Sequence, residues 1–323
     1  MRMLRGLIFL GIFGVLQLFG ATHYPHEIYE NVIVKDAKDA LQNAHLMVNA
    51  LEKKEKTKEQ FQLLALSWKK VQTLYIAGEL DGSVVDLPYE IDIYHNAKEN
   101  IYTQLDRIIT SKEAPQKVLF KNSHKTLNAL EYLIYKNNVI SQREIDLALV
   151  VAKQIAKNLQ KIITVYEKEK VSILADEKKF NALLINQLSA SSYELKEWRA
   201  GEATGLSKKY KNNPDKKRGE LYLSGLSLHS IIAILQTHEQ VMDSPKYLDF
   251  GDLSIEYGAK NDVLLIRKAI QEGLKTAQMM GGNLLDSKGK LLYGNLGKLH
   301  NGYYVSLVSS LRMTSKILDA DGD

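Results

Sequence analysis

Proline is scarce in this chain, and its apolar residues recur at helical spacing. The sequence has 5 prolines in 323 residues, and long stretches contain none. A proline inside a helix removes a hydrogen bond and clashes with the preceding turn, so its scarcity favours long helices. The clearest stripe, with spacings of three and four, comprises Ala37, Ala40, Leu41, Ala44, Met47, Val48 and Leu51. Because no segment alternates with period two for long, we predict an all-α fold.

The helical segments are separated by loops rich in Gly, Pro, Asn and Lys. Ser141 and Glu144 form a capping-box pattern, which predicts a long helix from there to about residue 170. Further helices are predicted over residues 61–75, 90–109, 120–135, 181–199, 220–241, 254–280 and 297–318. Gly201 is expected to cap the helix that ends near residue 199. We predict two packed helical bundles, an N-terminal bundle over residues 21–175 and a C-terminal bundle over residues 176–323.

The start of the chain has the residue order of a secretory signal. Arg2 and Arg5 precede an apolar core at residues 7–16, and the small residues Gly20 and Ala21 follow. This order predicts a signal peptide over residues 1–20 and a periplasmic or cell-surface location. An uncleaved anchor is the alternative, and contact with a membrane is expected only through this segment, because no later segment is apolar enough to cross a bilayer.

Composition excludes several function classes. The sequence has no cysteine, so disulfides, thiolate metal sites and a lipid-modified cysteine are excluded. Its 43 basic and 38 acidic residues give a net charge of +5, and the basic clusters Lys208-Lys209 and Lys216-Lys217-Arg218 lack the interleaved aromatic residues of single-strand binders. No nucleic-acid partner is therefore expected. A Gly-Lys-Ser phosphate loop, a nucleophile elbow and a dinucleotide fingerprint are also missing from the sequence.

Four stretches, taken in order, carry a resemblance to a known family. They are residues 68–72 (WKKVQ), 86–95 (DLPYEIDIYH), 126–133 (TLNALEYL) and 223–229 (LSGLSLH). Together they resemble the imelysin family of exported bacterial proteins. The third stretch stands where that family has a Gly-x-His-x-x-Glu signature, and the fourth is similar to its Ser-Gly-x-Ser-Leu stretch.

The resemblance implies a fold and a range of activities. Two related helical bundles would pack side by side, with the signature near the cleft between them. Members of the imelysin family were first described as insulin-cleaving membrane proteases, and others are linked to periplasmic or surface iron uptake. The implied ligand is a transition metal ion, iron before zinc or copper, and the implied partners are other components of an iron-uptake system.

The signature is altered at one position. Where the family has His, this chain has Asn128, while Glu131 is kept. An Asn side chain offers only a neutral amide oxygen or an NH2 donor, so a zinc or iron site should be weakened and oxygen-rich coordination favoured. His124 lies four residues before Asn128, and helical spacing predicts that the three side chains share one face. The alternative for Glu131 is a buried hydrogen bond between helices.

A second pair of candidate ligands is Asp92 and His95. They are three residues apart, and we place them just inside a helix that follows Pro88. With Glu131 they would supply two carboxylates and an imidazole to one ion, a set suited to iron or zinc. The alternative for Asp92 is stabilisation of the helix dipole without a ligand. The predicted metal ligands are therefore Glu131, Asn128, His124, Asp92 and His95.

A separate copper or nickel site is predicted if the signal is cleaved before Ala21. The mature chain would then start Ala21-Thr22-His23, whose amine, backbone amides and imidazole suit a square-planar ion. The alternative is a frayed terminus without a ligand.

Three functions remain open at this level. The leading hypothesis is a non-catalytic metal-binding or metal-delivery protein of iron acquisition. A metallopeptidase needs an activated water on a metal, and the missing signature His and the absence of a His-x-x-x-His pair count against it. The third is a structural or sensory helical bundle without metal. We interpret His229 and His238 as ordinary surface or interface residues, and we assign no chemistry to Arg199 and Glu202.

Overall fold

The regular structure of the chain is helical. The computed structural model describes residues 24–95 and 99–311, and within them no β-strand occurs, which confirms the all-α prediction. The predicted signal peptide and the Ala21-Thr22-His23 site lie outside these residues. The first helices are α1 (Lys35–Lys53), α2 (Thr57–Thr73), α3 (Ala77–Leu80), α4 (Leu87–Ile91), α5 (Ile101–Thr110), α6 (Pro115–Val118), α7 (Leu127–Tyr135) and α8 (Gln142–Ala175). They are followed by α9 (Glu177–Glu194), α10 (Ser227–Met242), α11 (Phe250–Glu256), α12 (Lys260–Met279), α13 (Gly289–Asn301) and α14 (Val308–Ser310).

Irregular helical turns extend or join several of these helices. The π-helical turns are Tyr29–Val34, Leu195–Glu202 and Gly302–Leu307, and the 3-10 turns are Gly82–Val84, Asn122–Lys125 and Lys216–Arg218. Gly201 lies inside the second π-helical turn, so the prediction that it caps a helix is wrong. Its role is a close approach instead, because a Cβ atom there would lie 2.9 Å from the Lys196 carbonyl oxygen and from the Tyr293 ring.

The helix predicted over residues 90–109 is two helices with a break between them. Helix α4 ends at Ile91, and α5 begins after Asn100, whose side chain accepts hydrogen bonds from the backbone amides of Tyr102 and Thr103. Asp92 has an extended backbone (φ −147°, ψ 119°), and His95 has a positive φ of 68°. The placement of Asp92 and His95 inside a helix is therefore wrong.

Helix α7 begins where its N-cap residue places it. Thr126 has an extended backbone (φ −107°, ψ 170°), and its side-chain oxygen accepts a hydrogen bond from the amide of Ala129. The helix therefore starts after Thr126, and His124 lies before it in a 3-10 turn. The prediction that His124 shares a helical face with Asn128 and Glu131 is wrong for this reason.

The helices share one continuous apolar core. Helices α1, α2 and α8 pack together, α10 packs against α2, and α12 packs against α10 and α13. Fully buried aromatic side chains in this core come from along much of the chain, among them Phe61, Trp68, Tyr166 and Phe180. Among the described residues, no helix is both long enough and apolar enough to cross a membrane.

The junction between the predicted bundles coincides with a helix boundary. The capping box of Ser141 and Glu144 is confirmed, and α8 continues from it to Ala175. Asp176 then caps α9 by accepting a hydrogen bond from the amide of Lys179. The division into an N-terminal and a C-terminal bundle at this junction stays a prediction.

Candidate functional site

The altered signature lies on α7, where both of its polar residues are buried. Asn128 is 8% exposed and Glu131 is 1% exposed. The Asn128 amide oxygen accepts a hydrogen bond of 2.9 Å from the backbone amide of Ile93. Glu131 Oε1 accepts hydrogen bonds from the amide (2.9 Å) and the hydroxyl (2.6 Å) of Ser224. The two side chains therefore hydrogen-bond two separate loops to α7, the loop at Ile93 and the loop at Ser224.

The protonation of Glu131 depends on its burial. Removal from water raises the pKa of Glu131 from 4.5 to about 7, although the two hydrogen bonds from Ser224 act in the opposite direction. The nearby carboxylates of Asp92 and Glu220 add to the increase. Near neutral pH, the carboxyl group is therefore present in both its protonated and its ionised form.

Asp92 belongs to a buried ion-pair cluster centred on Lys69. Lys69 is 0% exposed, and its ammonium group contacts the carboxylates of Asp92 and Glu220. Burial alone would raise the pKa of Asp92, but Lys69 holds it below its usual range. Asp92 also accepts a 2.9 Å hydrogen bond from the amide of Tyr94. Its negative charge is thus already compensated within the protein.

Arg199 completes this cluster from the second half of the chain. Its Nε donates to Glu220 at 2.9 Å, and its terminal nitrogens donate to Glu194 at 3.0 Å and to Gln72 at 3.2 Å. Gln72 also accepts a 2.9 Å hydrogen bond from Lys69. The cluster therefore links α2 to the π-helical turn after α9 and to the turn that precedes α10.

A cleft of about 910 Å³ opens beside the cluster. Its walls come from residues 72–95 on one side and residues 187–209 on the other. Its aromatic and acidic lining residues are Tyr75, Tyr89, Tyr94, Tyr193, Trp198, Glu79, Glu194, Glu197 and Glu202. A concave surface of this volume, with several polar groups, is typical of a small-ligand site.

His95 forms part of the cleft wall. Its Nε2 lies 2.9 Å from Glu202 Oε1, and its ring stacks on Trp198 with centroids 4.0 Å apart and an interplanar angle of 8°. The hydroxyl of the preceding Tyr94 donates to the backbone oxygens of Trp198 (3.0 Å) and Arg218 (3.1 Å). The turn that carries His95 is therefore anchored to the opposite wall of the cleft at Trp198 and Glu202, and also to Arg218.

His124 is directed away from the signature helix face. It is 2% exposed, and its Nε2 lies 2.8 Å from Oε1 of Gln104 on α5. Burial, followed by the nearby charge of Lys121, lowers the pKa of His124. The imidazole is therefore neutral at neutral pH and hydrogen-bonded to an amide.

The five predicted ligands do not surround a single point. Asp92, Asn128 and Glu131 adjoin one another, whereas His95 faces the cleft and His124 faces α5. Within residues 24–95 and 99–311, no group of three or more His, Asp or Glu side chains is arranged to hold one metal ion. The metal role of these five residues stays a prediction.

Sequence reasoning missed the residues that build the cluster and the cleft wall. Arg199 is 3% exposed and Glu202 is 9% exposed, and their contacts with Glu220 and His95 were not predicted from the sequence. For Lys69 the sequence did give a signal. The residue lies beside the apolar stripe of α2, and a lysine in such a position is either exposed to solvent or paired with an acidic side chain. No comparable signal marks Glu220, whose partners are distant in sequence.

A buried histidine also lies below the cleft. Of the two interpretations, surface or interface, the surface one is wrong for His238, which is 0% exposed and packs between helices, whereas His229 is exposed. His238 Nε2 lies 3.2 Å from the Ser191 hydroxyl, and its Nδ1 lies 3.1 Å from the Tyr303 hydroxyl. Burial lowers the pKa of His238 to about 3, which makes it a poor general base for Ser191 at neutral pH.

Comparisons with known proteins agree with this architecture. The family model described as Imelysin matches residues 25–251. An imelysin-like protein from Psychrobacter arcticum 273-4 superposes with a TM-score of 0.76 at 15% identity, over 92% of this chain and 96% of that one. An iron-regulated protein A precursor from Parabacteroides distasonis ATCC 8503 superposes with a TM-score of 0.67 at 13% identity, over 90% of this chain and 94% of that one. No curated protein matches the sequence significantly. The chain belongs to the imelysin family.

Proposed function

We propose that this protein is exported and binds a transition metal ion, iron foremost, in the cleft, as a carrier in iron acquisition. Three features support the proposal. The sequence begins with the residue order of a secretory signal. The chain belongs to the imelysin family. It also shares its fold with a protein named as an iron-regulated protein A precursor.

The observation that carries the proposal is the hydrogen bond between His95 and Glu202. A carboxylate accepts hydrogen bonds and does not donate them, so at this contact the imidazole proton lies on Nε2. With the proton on Nε2, Nδ1 carries the lone pair and is the atom that would bind an ion in the cleft. Metal-binding histidines usually donate their second nitrogen to a carboxylate in this way, which fixes the tautomer and increases the basicity of the ligand.

Side chains of the signature region and of Asp92 hold the backbone immediately before His95. Asn128 holds the amide of Ile93, and Asp92 holds the amide of Tyr94. Because Asp92 is neutralised by Lys69, it serves this positioning role better than it would serve as a metal ligand. We therefore propose that Asn128, Asp92 and Glu131 position the cleft wall, and that His95 is the member of the predicted set that meets the ion.

A carrier fits the donor set better than a metallopeptidase. Hydrolysis by a metal-bound water normally requires an ion held by three protein side chains and an open fourth position. The described residues contain no such preassembled group. One imidazole and several separate carboxylates in an open cleft favour weak, exchangeable binding, in which water or the ion's own chelator supplies the remaining ligands. Exchangeable binding is the property that delivery to another component requires.

Calorimetric titration with Fe(II), Fe(III)-citrate, Zn(II) and Cu(II) tests the proposal. We expect His95→Ala to lower affinity about tenfold or more, which is the usual effect of losing a metal ligand or its support. The matched control is His229→Ala, which removes an exposed histidine outside the cleft and should leave affinity unchanged. Glu131→Gln keeps an acceptor for Ser224 and should change affinity by no more than about twofold.

Three results would count against this proposal. If none of the four ions binds to the unmodified protein, the carrier function is wrong. If Glu131→Gln abolishes binding and His95→Ala does not, the ion is held at the signature helix instead of the cleft. If an unfolded peptide is cleaved by the protein, and a chelator stops the cleavage, the metallopeptidase hypothesis replaces the carrier.

A further inference from the structure

The loop between the Leu195–Glu202 turn and α10 presents an unusual concentration of positive charge. The lysines of this loop are all exposed, and they are Lys208, Lys209, Lys211, Lys216 and Lys217. Among the ion pairs formed within residues 24–95 and 99–311, none involves any of these five lysines. We call residues 203–219, which carry these five lysines, the lysine loop. Its positive charge is therefore not neutralised by an ion pair within the described residues.

The backbone of the lysine loop is braced by hydrogen bonds and by a ring contact. Gly205 has a positive φ of 70°, and its carbonyl oxygen accepts a 2.8 Å hydrogen bond from the amide of Asn212. The amide of Asp215 donates to the Ala203 carbonyl oxygen at 2.9 Å. The Arg218 guanidinium lies 4.1 Å from the centroid of the Tyr210 ring. Because these contacts restrain the loop, we expect binding through its lysines to cost little backbone entropy.

The chemistry of the lysine loop selects among anionic partners. Protein interfaces depend on buried aromatic or aliphatic anchors, and among residues 203–219 no large hydrophobic side chain is exposed. Single-stranded nucleic acid requires open aromatic faces for stacking, and the Tyr210 ring is covered by Arg218 and approached by Lys209. A bilayer of anionic phospholipid requires only closely spaced positive charge.

We propose that the lysine loop docks the protein on an anionic phospholipid surface. Lys208 and Lys209 also line the cleft, so docking places the mouth of the cleft beside the membrane. The contact is peripheral and electrostatic, and it weakens as salt screens the charges. It does not depend on the proposed metal function, because the lysine loop carries its charge whether or not the cleft is filled.

Vesicle cosedimentation of the full chain tests the docking proposal. Vesicles of phosphatidylcholine alone are compared with vesicles that also contain phosphatidylglycerol. The loop variant carries Lys→Gln at Lys208, Lys209, Lys216 and Lys217. The matched control carries Lys→Gln at four exposed lysines that form no ion pair in the described residues, Lys112, Lys117, Lys157 and Lys161. All three proteins share residues 1–23, so any contribution of that segment cancels.

We expect preferential binding to the phosphatidylglycerol vesicles, with a partition coefficient about tenfold or more lower in the loop variant than in the control variant. Raising the ionic strength should remove the difference between the two variants. Equal partitioning of the two variants would overturn the proposal, as would equal binding to both kinds of vesicle. Displacement by soluble inorganic phosphate at low concentration would also overturn it, because the loop would then be a site for single phosphate groups.

Discussion

Carboxylates meet basic side chains in two neighbouring regions of this molecule, with different consequences. Around Lys69, the carboxylates of Asp92 and Glu220 are buried and neutralised. At the cleft wall, Glu202 meets His95, and both side chains keep some exposure, 12% and 19% respectively. The first arrangement leaves little capacity for a ligand, whereas in the second the imidazole ring of His95 lines a cavity. The availability of an acidic residue is thus decided by its partner and by its access to water.

The largest effect is expected from removing the central cation of the buried cluster. Lys69→Met leaves the carboxylates of Asp92 and Glu220 buried without the ammonium group that pairs with both. This loss should lower the free energy of unfolding by about 3–5 kcal/mol. Lys153→Met is the matched control, because Lys153 pairs with Glu52 on the exposed surface, and its effect should be below about 1 kcal/mol. Urea denaturation of both variants measures the two values. Similar losses in the two would mean that the Lys69 cluster contributes no more than a surface ion pair.

The next effect concerns pH and the carboxyl group of Glu131. Its folded-state pKa of about 7 lies above the ordinary 4.5, so the folded chain retains this proton more strongly than the unfolded chain does. The resulting stability is present at low pH and is lost as pH rises through about 7. Glu131→Gln is neutral at every pH. Its free energy of unfolding, relative to the unmodified protein, should therefore rise by about 2–3 kcal/mol between about pH 5 and about pH 8.

Urea denaturation at a series of pH values measures this difference. Other titrating groups, such as the buried Asp36 and Asp249, are present in both proteins and cancel in the comparison. A difference that does not change with pH would mean that burial does not raise the pKa of Glu131.

A smaller effect is expected where the signature helix supports the cleft wall. Asn128→Ala leaves the amide of Ile93 without its acceptor, which should lower the free energy of unfolding by about 1–3 kcal/mol. It should also speed hydrogen exchange at the Ile93 amide, measured by NMR. The control Asn49→Ala changes an exposed residue on α1, where alanine is the better helix former, and should cause no loss. Unchanged exchange at Ile93 would contradict the positioning role of Asn128.

The smallest effect is expected at the cleft wall itself. His95→Ala breaks a partly exposed contact and should change the free energy of unfolding by less than about 1 kcal/mol. It uncovers one face of Trp198, so acrylamide should quench the tryptophan fluorescence more strongly. Of the 2 tryptophans, Trp68 is fully buried, and Trp198→Phe should therefore remove most of the quenchable signal. Stronger quenching that persists in the double variant would place the change elsewhere.

Much of the fold could be predicted from the sequence because helices depend on local contacts. The capping box at Ser141 involves side chains three residues apart, and the structure confirms it. The break after Ile91 was missed because it depends on Asp92 and Asn100, whose side chains bond to nearby amides and compete with the helix. The π-helical turn through Gly201 was missed because its close packing on Tyr293 is a tertiary contact.

Less of the candidate site could be predicted. The sequence identified Asn128, Glu131, Asp92 and His95 as residues of interest, but it gave no means of telling the three that are buried at α7 from the one that lines the cleft. Burial and hydrogen-bond partners make that separation. Glu202 lies 107 positions from His95 in the sequence, and no motif around either residue predicts that the two side chains meet.

By itself, the sequence determined that this chain is helical, where most of its helices lie and which family it belongs to, because helical period, caps and family motifs are encoded over a few residues. The tertiary structure alone decided which charges are neutralised and which face a cavity. Lys69 contacts Asp92 across 23 positions and Glu220 across 151 positions. The physical reason is that ion pairing and burial act through space, so they depend on how distant helices pack.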